Sequence, residues 1–449
     1  MDHYDVAIIG GGQAGVPLAY ALPRLGKRIV LIERKHLGGS CVNFGCAPTK
    51  TAIASARVAH LARRAADFGL RIPSVEVDFR AVIQRARDIV TSQRSGIEHG
   101  LAGKVITAQA RLDGREGDRF RIVAGDQSLT ADQIVLDTGT RSAIPPIEGI
   151  GDVDVIHAGN WLQHSDLPQR LIVIGAGVIA LEMAQFYRRM GSEVVVLEAA
   201  PQIASTEDPD VAEALQDLLE REGIEFHLEA KIERVEKSGD GVMLRVAEKG
   251  MIAGTHLFVA AGRKPNTDDL GLDTVGVKTN RGIVEVDERL SSNVRGIWAA
   301  GDIRGGPMFT HTAWDDHRVL LSQITGDRSR TTERVVPYAI FTDPEVGRVG
   351  MTETQARQSG KQIKVARFEI RRNSKSLEIG EPDGFIKVIA DASSGQLVGA
   401  SVMCNEAAEL VHIYIDLMNA RAPFSVIRDA VYIHPTLAEA IQSAVSLLG

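Results

Sequence analysis

Sulfur is scarce in this chain: of 449 residues only three are cysteine, at positions 41, 46 and 404. No apolar run approaches about 20 residues, which excludes a transmembrane helix. The opening "MDHYDVAIIGGG" enters a strand pattern at once and lacks a basic stretch and a cleavage site, so no signal peptide is expected and the protein is read as cytoplasmic. There a persistent disulfide is more often catalytic than structural. Aromatic residues make up 5% of the chain, basic residues do not interleave with them, and the net charge of −7 is spread out, all of which argues against nucleic acid as a partner. What is abundant is ordinary core material. With 44% hydrophobic residues the chain can bury a large core, and its length suits about two to four domains.

The first positive signal is a repeat. "DVAIIGGGQAGVPLAYALPRLGKRIVLIER" holds an apolar run, then Gly10, Gly12 and Gly15 at GxGxxG spacing, a helix pattern, and a second apolar run ending at Glu33. These parts suit a dinucleotide: Gly10 permits a tight turn, Gly12 admits a pyrophosphate, the helix end supplies amides, and Glu33 accepts from ribose hydroxyls. The unit recurs in "RLIVIGAGVIALEMAQFYRRMGSEVVVLEAA". Gly10, Gly12 and Glu33 reappear as Gly175, Gly177 and Glu198 at one offset of 165 residues, with Ala180 in the third-glycine place. Two such units imply two nucleotides and electron transfer between them. Glu198 should repel a 2′-phosphate, and Ala199 and Ala200 offer no cation, so NADH is favoured over NADPH, although Arg188 and Arg189 stand within the same unit.

Two of the three cysteines share "GGSCVNFGCAPTK". A thiol pair beside a dinucleotide site can take electrons from a cofactor and exchange them with an external disulfide. Cys46 stands just ahead of a predicted helix, whose dipole and free amides lower a thiol pKa, and Lys50 adds positive charge one turn on. A buried structural pair and half of a zinc site are the competing readings; the second lacks another CxxC or histidine pair at ligand spacing.

This segment resembles the redox-disulfide motif of the flavin-dependent pyridine nucleotide-disulfide oxidoreductases, the group containing dihydrolipoamide dehydrogenase, glutathione reductase and mercuric reductase. The resemblance extends over "DTGTRSAIPPIEG", "AAGRKPNT", "GIWAAGDIRGGPMFTH", "IFTDPEVGRVGMTE" and "IHPTLAE", in the family's order. It implies an α/β fold with two Rossmann-like domains, for FAD and NAD(P), and a C-terminal α+β dimerisation domain. The expected division is FAD-binding 1–147, NAD(P)-binding 148–266, FAD-binding again 267–330, and interface 331–449. FAD would lie on the first fingerprint, with Glu33 at its ribose, Ser40, Thr138, Gly139, Gly262 and Met308 around it, and Asp302 on its ribityl chain. Cys46 would be the sulfur facing the flavin and Cys41 the one that attacks substrate, while Lys50 would approach the flavin and pair with Glu182.

Thiol exchange near neutrality needs a proton carrier, a task to which histidine as a residue type is suited, and His434 stands with Glu439 placed to hold its ring. The resemblance implies that this histidine follows the family's cis His-Pro pattern and enters the active site of the other protomer, making the enzyme a homodimer. Substrate readings diverge: a small disulfide or dithiol as in dihydrolipoamide dehydrogenase, a metal ion or quinone, or a non-enzymatic thiol redox sensor. Ser40, Ala47 and Tyr432 depart from the lipoamide enzymes' usual residues. Elsewhere, "FRAVIQRARDIVTSQRSGIEHGL" predicts a long amphipathic helix, residues 103–137 short strands, Asp208 to Gly223 a helix burying Val211, Leu215, Leu218 and Leu219, and "AAELVHIYIDLMNA" one further helix. Cys404 is read as a small core residue.

Overall fold

A computed structural model describes all residues, 1–449. Runs such as "VAII" and "IVLI" are apolar at every position, the pattern of strands covered on both faces. They form a sheet in the order Val105–Thr107, Ile29–Glu33, Asp2–Ile9, Gln127–Leu136, Arg119–Ala124, Ala110–Glu116. Asp2–Ile9 pairs parallel with both neighbours, Ile8 lying beside Leu31 and Val135. "RLIVI" and "EVVVL" build a second sheet of five parallel strands: Ile224–His227, Glu193–Leu197, Arg170–Ile174, His256–Val259, Val155–His157. The central four strands of each follow one order, so the sequence repeat is also a structural repeat.

The chain leaves the first sheet through Thr140–Ser142 and comes back through Arg263–Pro265, and these two short strands pair antiparallel. Ile297–Ala299 then rejoins the first sheet beside Gln127–Leu136. Residues 337–404 form a third, antiparallel sheet in the order Pro337–Ile340, Glu345–Gly350, Leu397–Cys404, Phe385–Asp391, Ile363–Glu369. Cys404 is fully buried in its core with Tyr414 and Ile441. The largest core joins the domains: Ala52 and Ala56, Phe79 and Ile83, Phe186 and Phe258, and Phe385 and Met403 belong to one cluster.

Phe79–Gly100 is a helix capped by Asp78, and Pro209–Arg221 buries the four residues named above. Asp208 does not cap its own helix, however. Its carboxylate accepts from the amides of Glu353 and Thr354, at the start of the Glu353–Gln358 helix. The single helix expected over 407–420 is two, Ala407–Leu410 and His412–Asn419. The first is pressed onto the third sheet at Gly347, where a Cβ would stand 2.5 Å from the Ala407 carbonyl oxygen. Val411, between the two, keeps helical dihedrals (φ −60°, ψ −20°). No helix is long and apolar enough to cross a membrane.

Candidate active site

Each fingerprint turn follows from local chemistry. Gly10 has φ +107°, and a Cβ there would lie 2.2 Å from the Asp137 carbonyl oxygen; Gly175 has φ +102° with Ala260 oxygen at 2.6 Å. Glu33 accepts from the Gly11 amide at 2.8 Å and the Lys35 amide at 2.8 Å. Glu198 repeats this with Ala176 at 2.6 Å and Ala200 at 2.8 Å. Gly15 opens the Gly15–Arg24 helix, Gly177 caps the Val178–Met190 helix, and Ala180 is buried in that helix's first turn. At the first turn the amides of Gly12 and Gln13 donate to no protein group. Free amides at a helix N-terminus fit the phosphates of a dinucleotide.

Arg188 and Arg189 are committed elsewhere. Arg188 donates to the Glu222 carbonyl at 2.7 Å, and Arg189, 6% exposed, is bound by the carboxylates of Glu222 and Asp343 at 2.6 Å each.

Asp302 accepts from the Thr140 hydroxyl at 2.8 Å, and Arg263 donates to that hydroxyl at 2.6 Å while reaching Ser40 at 3.5 Å. The Thr138 hydroxyl donates to the Asn266 carbonyl, Gly139 and Gly262 both have positive φ, and Met308 is half-buried. The segments flanking the second nucleotide domain are thereby tied to the residue preceding Cys41.

Cys41 lies in the short Gly39–Asn43 helix, and Cys46 is itself the first residue of the Cys46–Arg63 helix rather than standing ahead of it. The loop between them is held by Trp161, whose indole N–H donates to the Phe44 carbonyl at 2.9 Å, and by Asn43, whose amide donates to Leu37 and Gly39. The thiols are unlinked and influence each other's ionisation directly. Cys46 Sγ also lies 3.1 Å from the hydroxyl of Thr310, first residue of the Thr310–Ile324 helix, so two helix N-termini converge on this sulfur. The Cys41 hydrogen bond brings the Cys46 pKa down to about 6 against the opposing effect of burial, with help from Thr310 and Lys50. The same bond, then burial, pushes the Cys41 thiol far up.

Lys50 pairs with Glu182 at 2.7 Å. Glu182 is 4% exposed, not a surface acid; its other oxygen accepts from the Phe341 amide at 3.0 Å, and the Phe341 ring lies 4.5 Å from the ammonium. His434 bonds neither thiol of its own chain; its Nδ1 lies 3.0 and 3.2 Å from the two Glu439 oxygens, and the bond to Pro435 is cis. The Thr436 amide donates to Glu439, and Asn373 donates to the Thr436 carbonyl at 3.0 Å. His434 is exposed, and beside it Val431 is 100% and Ile433 79% exposed.

Sequence reasoning missed Thr310, Arg263, Trp161 and Phe341. Thr310 and Arg263 lay inside or beside quoted motifs, yet they meet Cys46 and Ser40 across 264 and 223 residues, and no local pattern announces such a contact.

Comparison with known proteins agrees with this geometry. Residues 4–316 match the family model for pyridine nucleotide-disulphide oxidoreductases, and residues 336–445 match the family's dimerisation domain. A probable pyridine nucleotide-disulfide oxidoreductase, RclA of Escherichia coli, is 32% identical over the whole of both chains. The structure of that HOCl-induced flavoprotein disulfide reductase as a Cu(II) complex superposes with a TM-score of 0.91 over 100% of each chain. A dihydrolipoyl dehydrogenase of Cupriavidus necator is 32% identical over 98% of this chain and 97% of its own. The chain is a member of the pyridine nucleotide-disulfide oxidoreductase family of FAD-dependent enzymes, with two Rossmann-like domains and a dimerisation domain.

Proposed function

We propose that the protein is an FAD-dependent NADH:disulfide oxidoreductase of the dihydrolipoamide dehydrogenase type, a cytoplasmic homodimer acting on a small disulfide or dithiol. The observation carrying this reading is the asymmetry of the thiol pair: two helix N-termini and the Thr310 hydroxyl meet at Cys46 and favour its thiolate, while Cys41 beside it is held protonated. FAD, when bound, supplies two-electron exchange with nicotinamide on one side and with the cystine on the other. Glu33 takes the adenosine ribose, the Gly12 and Gln13 amides the pyrophosphate, and Asp302 the ribityl chain; Thr138, Gly139, Ser40, Gly262 and Met308 complete the surroundings. Lys50, fixed by Glu182, keeps positive charge near the Cys46 thiolate.

In the reducing direction Cys41 attacks one substrate sulfur, breaking its disulfide and releasing the first product thiolate. Cys46 then attacks Cys41 in the mixed disulfide, releasing the second product and leaving the Cys41–Cys46 disulfide. The Cys41 proton, taken up by the base, ends on one product sulfur; because Cys46 enters as thiolate, the second product leaves as thiolate and takes its proton from solvent. Because Cys41 holds its proton tightly, the attack needs a base, and His434 of the partner subunit, held by its own Glu439, is assigned that task. Exposed Val431, Ile433 and Val426 on the domain bearing His434 support a partner face there. Glu198, with Arg188 and Arg189 both engaged elsewhere, supports NADH over NADPH.

Metal-ion reduction is the second reading, favoured by the Cu(II) complex of the relative that matches this chain over its whole length. NADH oxidation with lipoamide, glutathione disulfide, Hg(II), Cu(II) and quinones separates the two. Highest kcat/KM with a disulfide, abolished by Cys41→Ser, is expected. Preferential turnover of metal ion or quinone, insensitive to that substitution, would overturn the disulfide reading.

A further inference from the structure

Asp137 stands in "DTGTRS", directly after the Gln127–Leu136 strand, and the roles above leave it without a task. Its side chain is buried. Oδ2 accepts from the Gly15 amide at 2.7 Å and the Ala14 amide at 3.2 Å, while Oδ1 makes no hydrogen bond. No cation pairs with it. The charged groups facing it are Asp302, which lies 3.5 Å from Arg263, and Asp316, which is neutralised by Arg304 and Arg334.

The neighbouring glycines make room for this carboxyl. A Cβ at Gly12 would lie 2.7 Å from Oδ2, and one at Gly301 would lie 2.9 Å from Oδ1. The second fingerprint provides an internal comparison. The Asp137 amide donates to Ile9 and the Ala260 amide to Ile174, so Ala260 holds the equivalent place with no carboxyl. Only the first of the two dinucleotide turns has an acid beneath it. That helix end also presents the unpartnered Gly12 and Gln13 amides assigned to the pyrophosphate.

We propose that Asp137 is a proton site built into the FAD pocket: the helix end that takes the dinucleotide pyrophosphate already carries this carboxyl, and FAD seats with Asp137 protonated. The inference rests on reading the first fingerprint as the FAD site. Two anions on neighbouring amides of one helix end repel, and a proton on Oδ1 relieves the conflict while Oδ2 keeps its two amide bonds. Burial pushes the Asp137 carboxyl well above the usual carboxylate range, with the Gly15 and Ala14 amides pulling the other way. Protonation then favours the bound state, so affinity for FAD is greatest on the acid side and falls as pH rises through the titration of the FAD-free carboxyl.

The test is serial dilution of holoenzyme over a range of pH, with released FAD read by its fluorescence. For the wild type, Kd should rise by up to about tenfold per pH unit on the alkaline side. Asp137→Asn and Asp137→Ala should flatten the profile and, at its alkaline end, hold FAD at least about tenfold more tightly than wild type. Infrared spectra of the holoenzyme should contain a protonated carboxylic acid band that Asp137→Asn removes. An unchanged slope in Asp137→Asn, a pH-independent wild-type Kd, weaker binding by Asp137→Asn at every pH, or no acid band would each overturn the proposal. Should the variants fail to accumulate, the wild-type slope and acid band decide. A wild-type protein that takes up no FAD at any pH would instead bring down the FAD reading itself.

Discussion

Replacing Cys41 by alanine removes the largest influence holding the Cys46 thiolate, and the consequence can be worked through. Cys46 sits at about 6, below the value of about 8.5 for a free thiol. A hydrogen bond to a charged acceptor contributes about 1.5–3 kcal/mol, and each pKa unit corresponds to about 1.36 kcal/mol, so its loss should raise Cys46 by about 1–2 units. Thr310, Lys50 and the helix termini remain, which keeps the new value, about 7–8, below that of a free thiol. Cys41→Ser keeps an O–H donor at the same place and should leave Cys46 within about 0.5 unit of wild type. Because the thiolate is the reactive form, alkylation by iodoacetamide rises with pH through the Cys46 pKa. The rate is followed on the reduced holoenzyme by mass spectrometry of the Cys46 peptide. The inflection should move upward in Cys41→Ala alone. An inflection that stays near 6 in Cys41→Ala, or equal shifts in the two variants, would refute the reasoning.

Further outcomes are expected at three other residues. Glu182→Ala strips the partner from Lys50 and the acceptor from the Phe341 amide; with Lys50 one-third exposed, the cost should be about 1–3 kcal/mol in urea denaturation at fixed protein concentration, and a loss below about 0.5 kcal/mol would contradict the assigned pairing. His434→Ala should lower kcat for lipoamide by about 10²–10⁴-fold while leaving NADH oxidation by a one-electron dye intact, and a fall of less than about tenfold would remove His434 from proton transfer. Glu198→Ala should raise the NADPH to NADH ratio of kcat/KM by about tenfold or more; an unchanged ratio would place cofactor choice elsewhere.

How much of this was legible in the sequence follows the reach of each interaction. The two fingerprints could be read in register because strand, positive-φ glycine, helix and terminal acid all lie within about 25 residues of one another. The Glu33 and Glu198 bonds to Gly11 and Ala176 are products of that short range. Helices with a clean apolar face, Phe79–Gly100 and Pro209–Arg221, could be read for the same reason. The split at Val411 could not, because no proline or glycine marks it in the sequence from 407 to 420. Nor could the burial of Glu182, or Asp343, whose carboxylate gathers Arg57 from the thiol helix and Arg189 from the second nucleotide domain. Residue types in the thiol motif pointed to chemistry, but which sulfur is ionised depends first on how the two thiols face each other in space, with Thr310, 264 residues on, adding to the preference for Cys46. Asp137 was quoted within a motif and passed over, since its importance lies in what its carboxyl faces.

The central claim is that bound FAD and the Cys41–Cys46 pair act as one redox unit with Cys46 as the sulfur against the flavin. Anaerobic addition of one equivalent of NADH to the holoenzyme, followed by visible absorbance, tests it most directly. A long-wavelength thiolate-to-flavin band is expected in the wild type after NADH and in Cys41→Ser before it, since that variant has no cystine to draw the electron pair off the flavin; its absence is expected in Cys46→Ser under both conditions. Persistence of the band in Cys46→Ser, or its absence from a wild type that is fully loaded with FAD, would contradict the account.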